Sequence, residues 1–246
     1  MAIDVNRLLK GGLAGLGLGS ALFGTTALGL WWRLFKRPLP KHEGSLRVRG
    51  TESMLEISRD RWGMPRVRAK TLHDLWFGLG FCHAQDRLWQ CDLHRRVVSG
   101  RLSEMAGRDG LPVDRFMRTI GMRRTALREE AELTEPLRSL LEAYCAGLNE
   151  AVRAAPALPA ELQILRLDVE PFRPADCLAG GKLFAFGMST NWERELLRAD
   201  LAREVGEERA ARLDPTYPLG HPLITTPGAG YSGDALSLAE QLGRVR

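Results

Sequence analysis

The chain opens on an uninterrupted apolar run and then settles into two shorter hydrophobic periods. From Gly11 to Trp32 no residue is charged, and Arg7 and Lys10 stand before the run while Arg33, Lys36 and Arg37 follow it. At about 1.5 Å per residue a helix of this length spans a bilayer. Trp31 and Trp32 sit where an interfacial aromatic belt would lie, and Thr25 and Ala27 offer the small-x-small site of a cleaved signal peptide. Residues 11–32 therefore read as a signal anchor or a signal peptide, since a run so rich in glycine makes a poor buried helix in water. Pro38 and Pro40 end the segment, and the denser positive charge on its C-terminal flank favours a cytoplasmic body.

Farther on, Met54 to Ser58 and Met64 to Ala69 alternate loosely around a turn-like Arg59-Asp60-Arg61-Trp62-Gly63, which predicts a pair of short strands. Thr71 followed by Asp74 resembles a capping box. It opens a helix to about Val98, with Leu72, Leu75, Trp76 and Leu79 on one stripe and Gly100 near its end. Asp92 stands three and four residues before Arg95 and Arg96, the spacing of intrahelical ion pairs. Leu137, Leu140, Leu141, Tyr144, Leu148 and Val152 predict a second helix with Thr134 as its N-cap. A third begins after Pro174, is interrupted at Ser189-Thr190-Asn191-Trp192, and gives way to a fourth from Glu193 to Val205 closed by Gly206. Beyond Asp214 the sequence turns rich in Pro and Gly and carries no core of its own.

Composition narrows the function classes. The 246 residues are 44% hydrophobic and 26% charged, an ordinary globular balance. The net charge of +5 comes from 30 Arg and 5 Lys interleaved with acids, so no basic arm marks a nucleic-acid footprint. Cys82, Cys91, Cys145 and Cys177 form no C-x-x-C pair. On one continuous helix Cys82 and Cys91 would face opposite ways, about 13.5 Å apart along the axis, too far for a disulfide or a shared zinc. Gly230-Tyr231-Ser232-Gly233-Asp234 misses the last glycine of a nucleophile elbow, and neither a phosphate-binding glycine loop nor a His-Glu-x-x-His motif occurs. The residues by themselves build no complete catalytic constellation.

A family resemblance rests on order and spacing. Arg59 to Pro65, Asp74, Gly80-Phe81-Cys82-His83-Ala84-Gln85-Asp86-Arg87-Leu88, Arg95-Arg96 and Ser99 to Gly107 resemble the start of penicillin acylases. Tyr144 to Asn149, Pro159 to Leu162, Pro171 to Asp176 and Asn191 to Leu196 continue the match, which covers roughly residues 50 to 220. The resemblance implies an N-terminal nucleophile hydrolase made as a precursor that cuts itself into α and β subunits. This chain would be the α part: an α+β portion of an αββα sandwich, mainly helical with a short N-terminal strand pair. Residues 1–40 would be address or anchor, 41–213 the α-subunit domain, and 214–246 its C-terminal end and linker. A serine at the β N-terminus would be the nucleophile, its own α-amine, with a reference pKa of about 8, serving as base. No catalytic residue falls on this chain.

The resemblance further assigns Ser189, Thr190, Asn191 and Trp192 to the acyl-binding pocket and Glu195 to a calcium site completed by β. Against these stand plain readings, Trp192 as core packing and Glu195 as an ion pair with Arg198. Asp86, Arg87, Arg95 and Arg96 read as a polar network bracing the long helix. The implied activity is hydrolysis of a linear amide, such as the acyl side chain of a β-lactam or an N-acyl homoserine lactone, with a β subunit as partner and a periplasmic or other extracytoplasmic site of action. The alternative is a membrane-anchored, non-catalytic remnant that acts as a binding protein. The α-subunit reading implies that much of the apolar surface waits for a partner, leaving the isolated chain marginally stable or prone to aggregate, whereas the remnant would fold stably alone.

Overall fold

A computed structural model of the chain describes residues 26–41, 43–189 and 191–213. The described residues are mainly helical, with one two-stranded antiparallel sheet, in agreement with the expected α+β class. Most of the apolar run from Gly11 to Trp32, and all of 214–246, lie outside the described residues. Its last residues form helix α1 (26–31), continued by a π-helical turn, Trp32–Lys36. Among the described residues no helix is long and apolar enough to cross a membrane.

The chain divides into two compact units, each discontinuous in sequence. The first runs to Asp92 and resumes over Thr134–Arg173. Its sheet pairs β1 (Glu56–Arg59) with β2 (Pro65–Arg68), Glu56 opposite Arg68 and Arg59 opposite Pro65. Asp60 builds the turn by accepting hydrogen bonds from the N–H groups of Trp62 (2.8 Å) and Met64 (2.9 Å). Helix α2 (Leu72–Val98) follows, and Thr71 caps it through its hydroxyl, which accepts from Asp74 N–H at 3.1 Å. The expected capping box is only half formed. Rather than reaching back to Thr71, the fully buried Asp74 carboxylate accepts from the N–H groups of Glu52 (2.8 Å) and Ser53 (2.9 Å) and from the Ser53 hydroxyl (2.8 Å).

Helix α2 and helix α6 (Leu137–Ala154) cross backbone to backbone. A Cβ on Gly80 would stand 2.0 Å from the Tyr144 carbonyl oxygen, and one on Gly147 would stand 1.9 Å from that of Phe77. Phe77, Phe81, Cys82, Ala84 and Leu88 are buried on α2, and Ala143, Cys145, Leu148 and Ala151 on α6. The predicted stripe on α2 is thereby corrected: Leu72 is 65% exposed and Leu75 and Leu79 38% each, while the buried face is the Phe77, Phe81, Leu88 side. Both faces of the helix are apolar, so periodicity alone did not identify the inner one. Thr134 does not cap α6 with its side chain; its carbonyl accepts from Arg138 N–H, and Pro136 holds the cap position. Asn149 on α6 grips Phe172 twice, its amide donating to the carbonyl (2.9 Å) and accepting from the N–H (2.7 Å). Short helix α7 (Ala160–Leu165) packs against the turn Trp32–Lys36.

The second unit holds Leu93–Leu133 and the chain from Pro174 onward. Three helices precede α6 that the hydrophobic period does not disclose: α3 (Ser103–Ala106), α4 (Leu111–Ile120) and α5 (Met122–Glu132). Buried Asp114 on α4 accepts from Leu102 N–H (2.6 Å) and Ser103 N–H (3.0 Å), satisfying the start of α3 from eleven residues away. Gly121, at φ +77°, ends α4 and admits α5. Helix α8 (Pro174–Met188) packs on α5 around Val98, Met122, Ala126 and Ala179, with Leu178, Leu183 and Phe186 against this core. Its first turn is pinned by Arg123 to Asp176 (2.7 Å) and by Ala175 N–H to Glu130 (3.1 Å). Helix α9 (Trp192–Val205) closes at Gly206 as predicted, and a short α10 (Glu207–Leu213) follows.

Candidate active-site surface at the break between α8 and α9

The expected interruption lies between Met188 and Trp192. Ser189 closes α8, its hydroxyl donating to the Ala185 carbonyl at 3.1 Å, and the Asn191 carbonyl accepts from Glu195 N–H at 3.0 Å to start α9. Ser189 and Asn191 are exposed. Thr190, also expected to line the pocket, lies outside the described residues.

Trp192 is half-buried in a three-ring cluster. Its ring centroid lies 5.4 Å from that of Phe116 on α4 and 5.6 Å from that of Phe186 on α8, which are themselves 6.0 Å apart. Tilted rings at these separations add about 0.5–1.5 kcal/mol per pair to their burial. The packing reading of Trp192 is thus real, yet it leaves open apolar surface on the same elements, with Phe184 72% and Met188 68% exposed, and Leu197 open on α9. Phe116 was missed in the sequence because the short, arginine-rich helix that carries it was missed. A fixed aromatic cluster at the start of α9 suits an apolar ligand group.

Glu195 lies one turn into α9, half-buried and paired with Arg198 at 2.9 Å. Calcium takes six to eight oxygen ligands. Among the described residues, the group of three metal-ligand side chains within reach of one another is Glu52, His73 and Asp74, not Glu195. Among the described residues Glu195 belongs to no such group, and its carboxylate is held by a guanidinium.

The other polar residues brace elements within each unit. Arg59 on β1 clamps Asp86 through both guanidinium nitrogens at 2.9 Å and donates to Gln85 at 3.0 Å, tying the sheet to α2. Arg87 donates to the Asp86 carbonyl and has φ −142° and ψ 25°, a break in the middle of α2. That break falls between Cys82 and Cys91, so the continuous-helix rotation used to separate their sulfurs does not hold through it. Burial, reinforced by Asp86 and countered by Arg59, pushes the Cys82 thiol up to about 11, which leaves it protonated and non-nucleophilic at neutral pH. Arg95 and Arg96 also reach beyond the helix, Arg95 to Asp176 at 4.0 Å and Arg96 to Glu104.

The family model for penicillin amidase matches residues 55–236. The chain belongs to the penicillin amidase family. It is 35% identical over 181 residues to the acyl-homoserine lactone acylase QuiP of Pseudomonas aeruginosa, covering 73% of this chain and 21% of that protein. To the penicillin acylase 2 proenzyme of Pseudomonas sp. strain SE83 it is 34% identical, over 63% of this chain and 20% of the relative. Among solved structures it resembles a thermostable penicillin G acylase from Alcaligenes faecalis with a TM-score of 0.54 and 26% identity. That likeness covers 70% of this chain and 98% of the other. The chain therefore spans about a fifth of the length of its curated penicillin-amidase relatives, yet covers one polypeptide of a solved family member almost end to end.

Proposed function

We propose that this chain is the α-type part of an amidohydrolase that cleaves a linear amide, an N-acyl homoserine lactone or the acyl side chain of a β-lactam. The nucleophile would be the N-terminal serine of a β-type polypeptide, activated by its own α-amine. The observation that carries the reading is the aromatic break at Met188–Trp192, where the Phe116, Phe186 and Trp192 rings form a rigid cluster and Ser189 and Asn191 are exposed. Ser189, Thr190, Asn191 and Trp192 would there hold the acyl group. The near-complete coverage of a separate polypeptide in the penicillin G acylase structure supports a heterodimer, as does the exposed stripe of Leu72, Leu75 and Leu79.

On this reading Glu195 would exchange Arg198 for a calcium ion only when β-type oxygens complete the shell. Calcium would then be structural, holding α9 at the subunit boundary. The enzyme would act outside the cytoplasm, with residues 11–32 as leader or anchor.

The test is to find a β-type polypeptide beginning with Ser, Thr or Cys, in the reading frame after Arg246 or encoded elsewhere, and to co-express it with this chain. Release of free homoserine lactone or of the β-lactam nucleus is expected. Trp192→Ala should raise KM for long or aromatic acyl groups about tenfold or more while the complex still forms. Absence of such a polypeptide from the genome, or an assembled complex inert on every N-acyl amide offered, sinks the proposal.

A further inference from the structure

The segment leading into the first unit is chemically unlike the rest of the chain. From Val5 to His42 there is no Asp or Glu, and its described part carries Arg33, Lys36, Arg37 and Lys41. Within the same stretch Leu28, Leu30, Trp31, Trp32, Phe35 and Leu39 are all exposed, though Leu34 is half covered. The Lys36 ammonium lies over the Trp31 ring, 5.6 Å from its centroid. Aromatic rings interleaved with cations along a helical segment fit a layer that is apolar below and anionic above.

The body of the unit adds to this surface. Helix α7 packs against Trp32–Lys36 and exposes Ile164 and Leu165 next to Arg166, which ends the helix with φ +54°. Glu161 is the acid on α7, one turn before Ile164. A protein partner would be expected to match several fixed cations with fixed acids, whereas tryptophans at a charge boundary are the mark of a headgroup interface.

We propose that residues 28–39 and the Ile164–Leu165 edge of α7 form one surface that lies in the headgroup layer of an anionic phospholipid membrane. The surface lies along the membrane rather than across it, and holds the first unit against the lipid. It is independent of the acylase reading: a chain with no amidase partner should bind lipid all the same.

The experiment is co-sedimentation of the purified full chain with vesicles of equal parts phosphatidylglycerol and phosphatidylcholine, and with vesicles of phosphatidylcholine alone. Binding to the anionic vesicles, weak binding to the neutral ones and quenching of tryptophan emission by brominated acyl chains are expected. Arg33→Glu with Arg37→Glu should weaken anionic binding about tenfold or more. Ile164→Ser with Leu165→Ser should weaken it severalfold without loss of helicity by circular dichroism, since both side chains are already exposed. Equal binding to the two vesicle types overturns the proposal. So does full binding by either variant, which would place the contact in residues 1–25, and so does self-association that Trp31→Ser with Trp32→Ser abolishes in a chain that ignores vesicles.

Discussion

Three carboxylates hold loops to helices, and their ionisation is part of the fold. For Asp74 burial works to raise the pKa, but donors from Glu52, Ser53 and His73 outweigh it and the carboxyl lies below its ordinary value. Asp114 has the same balance, burial opposed by Ser103, Leu102 and Arg118. Glu150 is lowered first by Arg153, against burial, with further help from the Arg49 N–H at 3.0 Å. A carboxylate whose folded pKa is depressed contributes stability that is complete above its unfolded pKa, about 4, and disappears as pH falls through the folded value. The share of stability these three carboxylates supply should therefore be constant from pH 7 to about 5 and fall below about 4, while His83, whose pKa burial lowers, should begin to cost stability as pH falls below about 6.5. In Asp74→Ala, where the N–H groups of Glu52 and Ser53 lose their acceptor, urea denaturation should show a loss of about 3 kcal/mol and a shallower acid limb. An acid limb unchanged in that variant would mean that Asp74 is not one of the groups that titrate on unfolding.

Among the elements, the α2–α6 crossing tolerates no side chain at its closest point. Gly80→Ala or Gly147→Ala would drive a methyl into a carbonyl oxygen, and either should cost about 3 kcal/mol or more, read as a lowered midpoint in denaturant. On the outward side of the same helix, Leu75→Ser with Leu79→Ser should change the stability of the isolated chain by less than about 0.5 kcal/mol per site. The pair should instead lower aggregation and weaken capture of a β-type polypeptide. The contrast between these faces shows how far the sequence could be read. Helices bounded by Pro174, Gly206 and the Ser189–Trp192 break were legible because their stop signals are local. The inner face of α2 was not, because Leu72, Leu75 and Leu79 are as apolar as Phe77, Phe81 and Leu88, and only the glycine crossing decides which set is covered. Helices α4 and α5 escaped notice because their arginines and glutamates mask a short apolar repeat, and the break at Arg87 interrupts a pattern that stays helical on both sides. The aromatic floor was half legible: the resemblance marked Trp192, while Phe116 joins it only through the fold.

At the scale of the molecule, the described surface carries three open apolar areas on separate elements: the stripe on α2, the side chains at Phe184 and Met188, and the aromatic segment at 28–39. The first two suit a partner polypeptide and the third a lipid surface. The first unit is also built from two stretches of chain, with Leu93–Leu133 intervening. During synthesis from the N-terminus, Gly80 waits for Gly147 while some sixty residues emerge, and closing so long a loop is slow relative to local helix formation. Until then Phe77, Phe81 and Leu88 have no α6 to cover them. A nascent chain halted near residue 133 is thus a natural client for chaperones that hold exposed apolar helices, and the yield of soluble protein depends on translation reaching α6 before such a chain meets another like itself.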